Sequence, residues 1–323
     1  MAASRNRLST DLGGRVGAFL AARLAPHERL CVALSGGCDS VVLAHVLSRL
    51  GLADRLSAIH VHHGLSPNAD AWADFCVRYC QDLNIPLSVR RVTVDRSAGE
   101  GLEAAARRVR YAAFANSAAD CLLLAQHRGD QAETLLHNLL RGTGVTGAAA
   151  MPVERRFGTL RLIRPLLDVA RSEIESYARH HGLAWVEDES NGDLALTRNF
   201  LRHQALGLLS ERFPAAEAAL AQAAANFAEA AAVLDELAEL DWARASAGDA
   251  ARLTVLRQLS MPRLKNLLRH RLRQLGWRVP VAARLDEFAR QLQSAGPDRH
   301  PELVLAEGTM RAGQGLLRWL SEK

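Results

Sequence analysis

Val32-Ala33-Leu34-Ser35-Gly36-Gly37-Cys38-Asp39-Ser40-Val41-Val42-Leu43 decides how the rest of the chain is read. A short apolar run enters a Ser/Gly turn and a second apolar run leaves it, the pattern of a strand, a tight loop and the start of a helix. Two adjacent glycines let the backbone turn sharply and aim successive N–H groups at one point, where the next helix adds its positive end. Phosphate suits such a cradle. The carboxylate of Asp39 in the same loop would repel phosphate unless a divalent cation lay between them, so the loop predicts a magnesium-nucleotide. A Walker loop needs Gly-Lys-Ser/Thr, and neither lysine, Lys265 or Lys323, follows a glycine.

Outward from this stretch, strands and helices alternate. Leu12 to Leu24 reads as a helix ended by Pro26, Leu30–Leu34 as the strand entering the loop, and the helix after the loop as running to about Leu50, where Gly51 stops it. Leu56–Val61, Leu87–Val94 and Cys121–Ala125 read as further strands, with helices at Ala71–Leu83 and Leu102–Ala118 between them. Such alternation predicts an α/β fold, a doubly wound parallel sheet covered on both faces, whose ligands gather at the carboxyl ends of the strands.

Three of those ends carry polar residues: Ser35 to Ser40, then His62-His63-Gly64, then Gln126-His127-Arg128-Gly129-Asp130. One mouth collects them. His60, His62 and His63 do not suit a shared metal, because alternation sends neighbouring strand residues to opposite faces; they read as a nucleotide-facing wall. Asp130 and Glu133 share one face of the next helix and sit near its N-terminus, where acids are also favoured simply as caps. Their place at the mouth points to metal or substrate contact. Gly142-Thr143-Gly144-Val145-Thr146-Gly147 imitates a dinucleotide fingerprint but follows a helix rather than a strand, so it reads as a flexible loop beside the site.

Further along come a strand-like segment at Leu160–Leu167, a helix at Ser172–His180 and an acidic turn, Glu187-Asp188-Glu189-Ser190-Asn191, suited to an ammonium group if the fold brings it to the mouth. Thr197 to Arg202 starts a helix with Arg198 and Arg202 on one side, suited to phosphate or carboxylate. Phe213-Pro214 marks a domain boundary. Beyond it, Ala215 to about Ala245 is Ala/Leu/Glu-rich and helical, and residues 301–320 hold two short strand-like runs.

The 323 residues carry a net charge of +5, with a pI near 9.2. Arg252 to Arg299 holds eleven basic residues against three acids, net +8, leaving about −3 for the remainder. Lys265, Arg269 and Arg273 recur at helical spacing beside Leu264, Leu267, Leu268 and Leu272, so one face can pack while another meets a nucleic-acid backbone. No apolar run is long enough to span a membrane and no signal peptide is evident, which predicts a cytoplasmic protein. Five cysteines without a Cys-x-x-Cys pair argue against a disulfide framework, and Cys76 and Cys80 read as core residues.

Ser35-Gly36-Gly37-Cys38-Asp39-Ser40 resembles the PP-loop of the N-type ATP pyrophosphatases, which split ATP between the α- and β-phosphates. Joined to His60-Val61-His62-His63-Gly64-Leu65-Ser66, Glu103-Ala104-Ala105-Ala106-Arg107 with Arg110-Tyr111, Asp130-Gln131-Ala132-Glu133-Thr134, Leu140 to Gly144, Arg164-Pro165-Leu166-Leu167 and Arg198-Asn199, it resembles the tRNA(Ile)-lysidine synthetases. The resemblance keeps family order over roughly residues 30–202. It implies an adenine nucleotide α-hydrolase-like catalytic domain over 1–213 and a smaller, mainly helical, basic tRNA-binding domain over 214–323.

The implied reaction joins lysine to the wobble cytidine of the CAU anticodon of tRNA(Ile), using ATP. The implied nucleotide contacts are Ser35, Gly36, Gly37, Cys38, Asp39, Ser40 and His60; Mg2+ falls to Asp39 and Asp130. Arg110 is expected at the adenylate or the cytidine, and Glu133 at the lysine ammonium, so Asp39, Arg110, Asp130 and Glu133 form the catalytic set. The oligomeric state stays open, with a homodimer among the options.

The family commonly has His-His-x-Asp-Asp-Gln where this chain has Gln126-His127-Arg128-Gly129-Asp130-Gln131, lacking the first histidine and the first aspartate. Many relatives also carry a further C-terminal domain that this length does not accommodate. Two alternatives stay open: a tRNA thiolase of the same superfamily, for which only Cys38 is suitably placed, and a non-catalytic tRNA-binding protein with a relict loop.

Overall fold

Unbroken apolar runs become strands because a sheet covered on both faces buries every side chain. In the computed structural model, which describes residues 12–95, 101–296 and 299–321, this gives α1 (Leu12–Ala21), β1 (Leu30–Ala33), α2 (Cys38–Ser48), β2 (Leu56–His62), α3 (Ala69–Asp82), β3 (Leu87–Arg91), α4 (Leu102–Ala115), β4 (Cys121–Leu123) and α5 (Arg128–Leu140). Then follow α6 (Val145–Ala148), the pair β5 (Glu154–Phe157) and β6 (Leu160–Ile163), and α7 (Arg171–His180). The sheet order is β3-β2-β1-β4-β6-β5, parallel throughout except for the β5–β6 hairpin.

Alternation along β1 sorts its side chains between two cores. Leu30 and Val32 join α1, α2 and α7 through Val16, Val41, Leu47 and Ile174, whereas Cys31 meets Tyr111 and Phe114 of α4 together with Leu160 and Leu162. All five cysteines are free and buried, Cys76 and Cys80 among them within the first core.

The chain leaves β1 for β2 and β3 on one side and returns to β4 on the other. Connections that diverge in this way open a crevice at the strand ends, so the loops after β1 and β4 face each other there. The expected strand Leu160–Leu167 stops at Ile163, as Pro165 cannot donate to a ladder. Edge strand β5 was not expected, because Glu154-Arg155-Arg156-Phe157 lacks an apolar run; as an edge strand it needs burial on few sides. The loop after α5 contains α6 and is tied down: Asn138 Nδ2 donates to the Gly147 carbonyl at 2.8 Å, and the Gln131 amide exchanges two hydrogen bonds with the Met151 backbone at 2.9 and 3.0 Å. A flexible loop was the expectation; these bonds explain the ordered one.

After α7, a helical stretch runs through α8 (Thr197–Phe200), a π-helical turn (Leu201–Ala205) and α9 (Leu206–Arg212), and Pro214 precedes the long helix α10 (Ala216–Ala245). Two compact units divide at Asn226, inside α10 rather than at Phe213-Pro214, since the first turn of α10 still belongs to the first unit: Glu217 accepts from Arg128 Nε at 2.9 Å.

The second unit, residues 227–323, continues through β7 (Ser246–Ala247), β8 (Ala250–Arg252), α11 (Leu253–Leu256), α12 (Met261–Gln274) and α13 (Ala282–Ser294) to β9 (Glu302–Leu305), β10 (Gly308–Gly313) and β11 (Leu316–Ser321). Three strands, rather than two, close an antiparallel sheet in the order β7-β8-β11-β10-β9. Leu264, Leu267, Leu268 and Leu272 of α12 pack against Phe288, Met310 and Leu317, as their spacing required. The basic stripe is less open than its sequence suggested: Lys265 pairs with Asp286 at 3.0 Å and Arg273 pairs with Asp235. Among the described residues no helix is long and apolar enough to cross a membrane.

Candidate active site

The turn after β1 is built around one hydroxyl. Ser40 Oγ accepts from the backbone N–H of Ser35 at 3.1 Å and of Gly36 at 3.2 Å, lies 3.0 Å from Ser35 Oγ, and donates to the Gly37 carbonyl at 2.9 Å. Gly37 caps α2 without any side-chain cap, so the first N–H groups of α2, from Cys38 onward, keep their donors for an anion. Gly36 has φ +92°, a left-handed conformation, and a Cβ there would stand 2.8 Å from Val186 Cγ2. Gly36→Ala is therefore expected to cost about 1–3 kcal/mol and to lower nucleotide affinity as the loop shifts, which thermal melts and ATP titration measure together.

Asp39 projects from the first turn of α2 toward the loop after β4. Its Oδ2 lies 3.8 Å from His127 Nε2, and its Oδ1 is buried without a hydrogen-bond partner. Burial raises the Asp39 carboxyl above its ordinary range, opposed by His127, Arg171 and Arg202 and reinforced by Asp130. His127 caps α5: its Nδ1 accepts from the Gly129 N–H at 3.0 Å, which leaves the proton of a neutral ring on Nε2. That Nε2 faces Asp39 and, at 3.6 Å, Asp130 Oδ2, and it too has no hydrogen-bond partner. A Cβ at Gly129 would meet His127 Cε1 at 2.9 Å, so the glycine standing in place of an aspartate lets the ring fold over its own helix.

Asp130 is both a cap and a mouth residue. Its Oδ2 accepts from the His127 backbone N–H at 3.0 Å and its Oδ1 from Arg202 at 2.7 Å. Glu133, expected at a lysine ammonium, is instead 1% exposed, with Arg202 at 2.8 Å and Arg198 at 3.3 Å on its two oxygens. Burial pushes its carboxyl up despite the two arginines. The arginines read as a phosphate or carboxylate site thus already hold carboxylates of this chain.

His60 does not face the mouth. It is 5% exposed and donates Nδ1–H to the Leu34 carbonyl at 2.9 Å, with Cys76 Sγ at 3.4 Å behind it, so it props the strand end that carries Ser35. His62 is turned the same way, against Asp70 at 3.2 Å. His63 is the histidine on the other face, next to Arg110 of α4, and burial with that neighbouring charge pushes it down to about 4. Cys38 is 5% exposed in the core, and burial beside Asp39 pushes its thiol up to about 11. The residue just before the acidic turn meets the loop, the Val186 N–H donating to the Gly36 carbonyl at 3.0 Å, while Glu189 within the turn accepts from Ser66 and Asn68.

A family model described as a PP-loop domain matches residues 8–209, and one described as the TilS substrate binding domain matches 252–318. Over 325 residues the chain is 45% identical to a tRNA(Ile)-lysidine synthase of Nitrosomonas europaea, covering 99% of this chain and 71% of that one. The chain belongs to the tRNA(Ile)-lysidine synthase family. A synthase of Aromatoleum aromaticum is 48% identical, covering 90% of this chain and 68% of its own length. Among solved structures, a U34-tRNA thiolase from Methanococcus maripaludis with its [4Fe-4S] cluster matches with a TM-score of 0.58 at 17% identity, over 70% of this chain and 80% of that one, a likeness of fold.

Read as a lysidine synthase, the site has a donor set suited to Mg2+ carried by a nucleotide. Among the described residues no cluster of three or more His, Cys, Asp or Glu forms a cage. Mg2+ needs none, since it is commonly held by one or two carboxylates with phosphate oxygens and water. The orphaned Asp39 Oδ1 fits that role. The sequence brought His127 to the same mouth as Asp39 without giving it a role, because its capping geometry depends on Gly129; it gave no sign of Arg171, which arrives there only through the packing of α7 against α2.

Proposed function

We propose that this chain ligates L-lysine to the wobble cytidine of the CAU anticodon of tRNA(Ile), consuming ATP and releasing AMP and pyrophosphate. The cytidine O2 attacks the α-phosphate and expels pyrophosphate; the lysine ε-amine then attacks C2, and AMP leaves with that oxygen. The observation that carries this reading is the partnerless Asp39 Oδ1 beside the uncapped N-terminus of α2, at the crevice between β1 and β4.

In this reading the N–H groups of the PP-loop and the hydroxyls of Ser35 and Ser40 hold the departing pyrophosphate. Asp39, with Asp130 beside it, would hold Mg2+, which when bound would supply positive charge against that developing on the leaving group. His127 lies 3.8 Å from Asp39 Oδ2 and leaves Oδ1 without a partner in the protein. Arg110, next to His63, meets the adenylate or the cytidine ring. Arg198 and Arg202 are suited to the lysine carboxylate, and Glu133 becomes a positioning residue that holds them in place. The acidic turn beside Gly36 supplies negative charge for the lysine ammonium. A homodimer and a cytoplasmic location are compatible with this reading, since every residue it uses lies in one chain and its substrate is a tRNA.

Sulfur transfer would need a reactive thiolate near the loop. Cys38→Ala is expected to keep lysine-dependent turnover within about threefold of the parent, because a buried thiol pushed up to about 11 stays protonated at neutral pH. Mass spectrometry of the wobble nucleoside after incubation with tRNA(Ile), ATP and lysine tests the function itself. Lysidine formation supports it; unmodified cytidine, or thiolated product without lysine dependence, overturns it.

A further inference from the structure

Tyr111 of α4 is 8% exposed, and two guanidinium groups lie against its ring: Arg107 at 5.0 Å and Arg155 of β5 at 5.1 Å from the centroid. Arg107 also donates to the Tyr111 hydroxyl at 3.3 Å, and Arg155 stands 6.0 Å over Phe157. Both arginines are exposed, and no carboxylate among the described residues is ion-paired with either. Behind them Arg164, 2% exposed, donates to Gln126 Oε1 at 3.1 Å and to the Pro152 carbonyl at 2.7 Å, and among the described residues it too is ion-paired with no acid. Three positive charges therefore converge on one tyrosine without neutralisation. By contrast, Arg128, Arg161, Arg198 and Arg202 of the same unit are all matched to carboxylates.

A guanidinium held against an aromatic ring keeps most of its five N–H donors available, so it loses little further freedom on binding an oxyanion. The patch also touches the mouth. Gln126, held by Arg164, immediately precedes His127, and Pro152 follows Met151, which Gln131 of α5 holds.

We propose that Arg107 and Arg155, held against the Tyr111 ring, form a phosphodiester-binding surface that grips the RNA backbone beside the active-site mouth. The inference rests on the reading of the chain as a tRNA-modifying enzyme and adds to it where on the first unit the RNA strand runs. Backbone contacts carry no sequence information, so the surface grips tRNA(Ile) and an unrelated tRNA alike.

The test compares the parent with the doubly substituted Arg107→Gln/Arg155→Gln and Arg107→Lys/Arg155→Lys chains, measuring tRNA binding over a salt series and steady-state lysidine formation. For the glutamine pair, the slope of log K against log[salt] should shrink by about 1–2, affinity for both tRNAs should fall by roughly tenfold, and KM for tRNA should rise with kcat and KM for ATP unchanged. The lysine pair keeps the charges and should keep most of the slope. A role limited to packing Tyr111 would leave the slope intact in both variants, and that outcome overturns the proposal. If the parent binds tRNA but makes no lysidine, the functional reading fails while the slope comparison still decides the surface.

Discussion

Asp39→Asn is expected to cut lysine- and tRNA-dependent pyrophosphate release by at least about 10^2–10^3-fold while leaving the melting temperature equal to or above that of the parent. The two halves of this result have one cause. Burial raises the Asp39 carboxyl, so the charged form is the one the fold disfavours. A carboxyl whose folded pKa is raised contributes stability at low pH and loses it as pH rises through that pKa. At neutral pH the aspartate is therefore kept against the interest of stability, and a neutral amide relieves the strain while removing the oxygen offered to Mg2+. Activity and stability moving together would assign Asp39 to the framework instead. Calorimetry and a pyrophosphate assay on the same preparation separate the two.

Arg202→Ala is expected to destabilise the first unit by about 3–5 kcal/mol, the cost of stranding a buried charge. Arg202 bridges Asp130 at 2.7 Å and Glu133 at 2.8 Å, and Glu133 is 1% exposed. Without the bridge, only Arg198 at 3.3 Å is left to oppose the burial of Glu133 and the repulsion of Asp130. The sign of the pH dependence follows. With its folded pKa raised further, Glu133 contributes stability at low pH that is lost as pH rises through that pKa, so the variant should regain melting temperature on acidification from neutrality. Adding Glu133→Gln to Arg202→Ala should recover much of the loss at neutral pH, a coupling that a double-mutant cycle reads directly. Additive losses would mean that the ion pair is not what holds the π-helical turn against α5.

The parallel sheet was legible because its strands are short apolar runs and its first turn has a loop sequence with one physical use. Strand β5 was not, since an edge strand with Arg155 and Arg156 carries no period-two apolar signal. The same contrast holds within the site. The phosphate-cradling turn could be read from its own residues, because glycine, serine and a helix start act locally, and its identity as a PP-loop came with the family resemblance. Glu133 could not, because its role depends on Arg198 and Arg202 arriving from a segment more than sixty residues away. His60 looked like a site residue from its place at a strand end, yet the face it takes is settled by β2 packing against α3. The basic stripe of α12 misled for a related reason: the acids that neutralise Lys265 and Arg273 lie on α13 and α10.

A triphosphate carrying Mg2+ is expected to lodge in the first turn of the sheet and to be split between its α- and β-phosphates only when RNA presents its base. Following ATP labelled in the α-phosphate, in the presence and absence of tRNA(Ile), lysine and Mg2+, measures this most directly. AMP and pyrophosphate are expected in step with lysidine, and neither when tRNA or Mg2+ is withheld. Release of ADP and orthophosphate, or AMP formation indifferent to tRNA, would contradict it.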